Sequence, residues 1–216
     1  HLIKQFVANS FLRARDSSRS IRDVLDNSPD ITTPFDGASR VATQLRMVAR
    51  MIAGREALGM KRQMFFVGMG GWDTHDYQTP RLVELTQELD AALAGFQQTL
   101  GELNVEENVT TFTASDFGRT LTVNGNGSDH GWSGHYMVMG GAVNGGQIVG
   151  DWPEYEVGGS EDIGDKGRLI PRMSINEYGA ALGSWMGLSP SDMADVFPDL
   201  ANFTSDWQNS YGLFNA

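Results

Sequence analysis

Four histidines occur in the 216-residue chain, and three of them stand among acids and glycines: His75 in WDTHD, His130 in GSDHGW and His135 in WSGHY. Imidazole and carboxylate are ligand types accepted by zinc, and carboxylate also by the harder divalent ions. Two or three histidines with two or three aspartates, drawn from separate loops, make up a hydrolytic metal centre. The acids placed to join are Asp73, two residues before His75, Asp129, adjacent to His130, and Asp116 in SDFGRT. The candidate ligands of a divalent ion (zinc, calcium, magnesium or manganese) are therefore Asp73, His75, Asp116, Asp129, His130 and His135. Arg119, three residues after Asp116, is suited to an anionic substrate or to an ion pair. Each residue also has a plainer reading. Asp73 and His75 can cap the helix that begins near Pro80, Asp116 can accept backbone N–H groups in a turn, and His130 and His135 can be solvated loop residues.

Other chemistries find no support. The chain has no cysteine, which removes disulfides, thiolate zinc sites and cysteine nucleophiles. No G-x-S-x-G, Walker or H-E-x-x-H pattern occurs. GGAVNGGQ (140 to 147) is glycine-rich without the strand–GxGxxG–helix context of a dinucleotide site, and reads as a turn at a strand edge. A formal net charge of −11 and a pI near 4.7 argue against phosphate-backbone binding and against an anionic membrane face. Nothing approaches the roughly 20 apolar residues of a membrane span. The apolar pattern is already under way at the first residues, so the sequence reads as the continuation of something longer, with any export signal upstream.

The elements that must position these residues alternate. Residues 1 to about 26 have helical spacing, and SPDITTPFDG (28 to 37) reads as a connector. From Ser39, Val41, Leu45, Val48 and Ile52 line one helical face. MFFVGMGG (64 to 71) reads as a buried strand ending in glycines. A second long helix is expected from about Pro80 to Leu100, with Leu82, Leu85, Leu89, Leu93, Phe96 and Leu100 on one face. VTTFTA (109 to 114) is expected as a strand, 124 to 134 as a glycine- and asparagine-rich loop, and 136 to 143 and QIVGDWP as further strands. Residues 156 to 168 read as a surface loop. Ser174 and Glu177 form a capping box that opens a helix through Trp185, and Ser189–Pro190 opens another. Strand and helix in alternation imply an α/β layer fold with parallel strands, and ligands at the strands' carboxyl ends. GGWDTHD and SDFGRT both follow expected strands.

KRQMFFVGMGGWDTH, TTFTASDFGRTLTVNGNGSDHGWSGHYMVMGGAVNGGQIVG and GRLIPRMSINEYGAALGSWMGL…VFPDLANF resemble, in order, a bacterial family of unknown function, DUF 1501. Its members are similar to the alkaline phosphatase and sulfatase superfamily. That resemblance implies a three-layer α/β/α sandwich with a mostly parallel sheet, a centre for phosphate- or sulfate-ester substrates, and export to the periplasm or beyond. It also implies that this chain is the C-terminal half: residues 1–37 continue from a missing N-terminal half, and 38–216 form the C-terminal part of the α/β domain. The superfamily's Asp and Ser or Thr nucleophile would lie in that missing half. Two departures stand out. Asp73 and His75 are closer together than the superfamily's pair, and Phe117 stands where a His would follow Asp116. Two functions are thus open: a metal-dependent phosphoryl or sulfuryl hydrolase, or an inactive exported scaffold or binding module of a cell-surface assembly.

Overall fold

The helices follow from local signals. The computed structural model describes residues 2–35, 39–203 and 211–215; the end of the 28 to 37 connector and the terminal His1 lie outside them. Helix α1 runs Leu2–Asn27, α2 Arg40–Ala53, α3 Gln78–Glu102, α4 Ile175–Met186 and α5 Pro190–Val196. The Ser39 hydroxyl accepts from the Ala42 N–H and caps α2. Ser174 and Glu177 form the expected capping box of α4, which ends on Gly187 in the left-handed region. Ser189 caps α5, with Pro190 at its first position.

The chain divides into two compact units. The first comprises residues 1–70 and 85–105. Of the residues the helical periodicity selects, Val41, Leu45 and Ile52 on α2 and Leu85, Phe96 and Leu100 on α3 are buried, with Ala42, Ala49 and Ala92 beside them, while Val48, Leu89 and Leu93 are only partly buried. Between these helices a carboxylate organises the connector. Glu102 accepts from the backbone N–H and the hydroxyl of both Thr32 and Thr33, at 2.6 to 2.9 Å. The second unit comprises 71–84 and 106–216, with Ala180, Met193 and Leu200 buried beside Leu188 and Phe197. The Tyr178 hydroxyl donates to the Thr113 carbonyl, and its burial raises the phenol above its ordinary range.

The parallel three-layer sandwich is not what forms. Among the described residues the sheets are two antiparallel pairs. Strand β1 (Thr111–Phe112) pairs with β4 (Val138–Met139), and β2 (Gly118–Asn124) pairs with β3 (Gly127–Gly131). The physical reason lies in what an apolar run can and cannot specify. Propensity marks MFFVGMGG as strand-prone, but a strand exists only when another backbone completes its ladder. Among the described residues, those at 64–71 have no strand partner, and Phe66 is 95% exposed. Their backbone is met instead by a side chain: Gln44 accepts from the Gly68 N–H (3.1 Å) and donates to its carbonyl (2.8 Å). The expected strands at 109–114 and 136–143 shrink to two residues each, and QIVGDWP forms none.

The loop expected at 124 to 134 is largely a hairpin. Asn124 faces Gly127, leaving Gly125–Asn126 as a two-residue turn. Gly125 has φ +66 while Asn126 is not in the positive region, the pattern of a type II′ turn that demands glycine first. Arg119 pairs with His130 and Val123 with Ser128, so β2 carries two extra residues between these pairs. The bulged Leu121 and Thr122 turn their N–H groups to the carbonyls of Gly167 and Lys166.

The Glu102 clamp gives a signed pH prediction. Its hydrogen bonds lower the carboxyl from 4.5 to about 2. A depressed folded value stabilises above the unfolded value, and that stabilisation is lost as pH falls through the folded one. Between pH 4.5 and about 2 the wild type should therefore lose melting temperature more steeply than Glu102→Gln, which lacks the titrating group. Parallel slopes in thermal melts of the two proteins would refute the clamp.

Candidate metal centre

Two segments of the second unit build the site: the 72–76 loop and the β2–β3 hairpin. The hairpin's register sets Arg119 and His130 opposite one another. Gly127 lets the loop approach. A Cβ there would lie 2.2 Å from the His75 carbonyl carbon and 2.6 Å from the Thr74 carbonyl oxygen. The Gln78 N–H, at the start of α3, donates to the Asn126 carbonyl in the turn. The loop is thus held against the hairpin from both sides of His75.

Three ligand-type atoms converge there. Asp73 Oδ1 lies 2.8 Å from His130 Nε2 and 2.9 Å from His75 Nε2, and the two Nε2 atoms are 3.1 Å apart. Side-chain exposure is 58% for Asp73, 47% for His75 and 46% for His130, so the cluster opens to solvent. The hydrogen bond from His130 is the largest cause holding the Asp73 carboxyl below its ordinary value, with the charges of both histidines adding to it. Stability from this pairing is accordingly present above the ordinary carboxylate range and lost as pH falls below it.

The surrounding groups fix the cluster. Arg119 is mostly buried, and its Nη1 donates to the Ser128 carbonyl (2.6 Å). Its Nη2 donates to the Trp72 carbonyl (2.8 Å) and to Asp73 Oδ1 (3.1 Å). Of the two roles open to Arg119 in the sequence, the ion pair is the one it makes. Phe117 stacks flat on the His130 ring, 3.9 Å between centroids and 4° between planes. Position 117, where the resemblance implied a histidine, thus holds a ring that orients one. Asp129 Oδ1 is 3.8 Å from His75 Nδ1 and accepts from Asn124 Nδ2 at 2.8 Å. It stands behind His75, outside the triad.

Two of the sequence candidates lie elsewhere. Asp116 is exposed in the bend before β2 and is not in the cluster. His135 faces Tyr155, with Nε2 3.2 Å from the hydroxyl and its ring beside Trp152. Asp73 and His75 spend their side chains on each other, His130 and Arg119, rather than on capping α3. Sequence reasoning noted Phe117 only as a departure from an expected histidine, and passed over Asn124 and Gly127. The signal for the last two was the NGNG run, a two-residue hairpin turn flanked by β-prone residues.

A family model described as "Protein of unknown function (DUF1501)" matches residues 7–163, which include the triad, Arg119 and Phe117. The chain belongs to this family. No curated protein and no solved structure matches it. The family span ends before α4, so SINEYGAALGSWMGL lies beyond it.

Arg119 offers a test of how the site is held. Arg119→Met removes the donors to two backbone carbonyls and leaves half-buried acceptors unsatisfied, a loss of about 1–3 kcal/mol. Urea unfolding should show that loss, and Arg119→Lys should recover part of it. An unchanged midpoint in Arg119→Met would show that the loop does not depend on this residue.

Proposed function

We propose that Asp73, His75 and His130 hold one divalent metal ion, and that the protein is an exported metal-dependent hydrolase of phosphate or sulfate esters. The observation that carries the proposal is a mismatch of protons and lone pairs. Three contacts of 2.8 to 3.1 Å join the triad atoms, but the two imidazole Nε2 atoms carry at most one proton each and the carboxylate carries none. Whichever nitrogens are protonated, at least one close contact therefore sets lone pair against lone pair or N–H against N–H, a conflict that a cation in place of the protons relieves. The groups present fit such an ion: neutral imidazoles and a carboxylate are its ordinary ligands.

The chain's own residues have definable parts. Asp73 supplies the negative charge, and Arg119 keeps its carboxylate and the Trp72 backbone in place. Asp129, beside His75 Nδ1, favours a proton on that nitrogen and leaves Nε2 free to ligate. Phe117 holds the plane of His130. A bound divalent ion would supply Lewis-acid polarisation of an ester oxygen and an acidified water. The likeness to the alkaline phosphatase superfamily supports the substrate class, and the absence of cysteine fits export.

Phe117 favours a second reading. It occupies the position of the His expected after Asp116, and Asp116 stays outside the cluster, as in a scaffold that has kept a metal and lost turnover. One experiment separates the two. Elemental analysis of protein dialysed against a divalent mixture should give about one ion per chain, lost in Asp73→Ala and His130→Ala. A panel of aryl phosphates and sulfates should then show turnover that the same variants lose. A loaded protein without turnover supports the scaffold, and a wild type that retains no ion ends both metal readings.

A further inference from the structure

Resting on that metal reading, we infer that the triad is one face of a six-coordinate centre with three open positions, built to chelate an oxyanion through two of its oxygens. The ligand spacing decides the geometry. With bonds of about 2.1 Å, neighbouring ligands of a tetrahedral ion stand about 3.4 Å apart and those of an octahedral ion about 3.0 Å apart. The three observed separations are 2.8, 2.9 and 3.1 Å, all on the octahedral side. Ligand–metal–ligand angles are then close to right angles, as in the facial arrangement of two histidines and one carboxylate.

Among the described residues no further His, Cys, Asp or Glu side chain joins the triad. Asp73, His75 and His130 are the group of metal-ligating side chains found among the described residues. Asp129 sits behind His75 at its Nδ1, on the side away from the Nε2 that faces the triad. Arg119 is a cation with its terminal nitrogens engaged. Each of the three ligands is about half exposed, so the remaining positions face solvent. Charge then selects the ligand. One carboxylate against a divalent ion leaves the centre net positive, and adjacent open positions suit an anion that presents two oxygens. Six-coordinate manganese and iron(II) match this face, whereas closed four-coordinate zinc does not.

Cobalt(II) added to the full chain reads the geometry directly. A six-coordinate cobalt centre absorbs weakly in the visible because its ligand field is close to centrosymmetric, while a four-coordinate one absorbs intensely. The expected spectrum is weak, is absent in Asp73→Ala and His130→Ala, and shifts when oxalate is added as a two-oxygen probe. An intense tetrahedral spectrum, or a weak one that oxalate leaves unmoved, would overturn the inference while leaving the metal site standing. A spectrum retained in both variants places the cobalt elsewhere and also overturns it. If the wild type binds no cobalt, manganese or zinc in equilibrium dialysis, the underlying metal reading fails instead.

Discussion

A guanidinium anchored on two backbone carbonyls holds the geometry of the triad. Arg119 reaches the Ser128 carbonyl on one strand of the hairpin and the Trp72 carbonyl on the loop, and touches Asp73 with the same nitrogen that meets Trp72. Arginine suits this place because its planar fork offers several donors in fixed directions and keeps its charge at any working pH. A lysine would present one ammonium and could not span both carbonyls with the same rigidity. The positions of Asp73, of His75 two residues on, and of His130 directly across the hairpin all depend on that anchoring.

The parts of the fold legible in the sequence were those whose cause is local. Helix α2 is written in Val41, Leu45 and Ile52, and its start in Ser39, whose hydroxyl needs only a neighbour three residues away. The caps at Ser174 and Ser189 have the same short reach. Strands are another matter, because pairing is settled by distant backbone. The apolar run at 64–71 carries every local mark of a strand, but among the described residues its backbone is met by the Gln44 amide and by no strand. The parallel sheet inferred from alternation failed at that point. In the opposite direction, glycine and asparagine composition hid a hairpin whose type II′ turn needed those very residues.

The candidate site divides along the same line. Residue type named Asp73, His75 and His130 as ligand-forming, since few other histidines exist in the chain. Which of the clusters meet is a matter of register. The β2 bulge and the Gly127 approach bring His130 to the 73–75 loop, whereas His135, five residues on, turns to Tyr155. No spacing rule in the sequence separates those two histidines. The stacking of Phe117 was equally hidden, because an aromatic ring laid on an imidazole follows no ligand pattern, yet it fixes the plane in which His130 offers its nitrogen.

The uncovered run before the site has a consequence of its own. Met64 is 79% and Phe66 95% exposed, in a six-residue stretch, MFFVGM, that contains neither charge nor proline. Apolar, β-prone and without a strand partner, such a stretch templates pairing between molecules. It lies only a few residues before Asp73 in the chain. Concentrating the protein enough to test the triad for an ion therefore also brings these exposed apolar segments together.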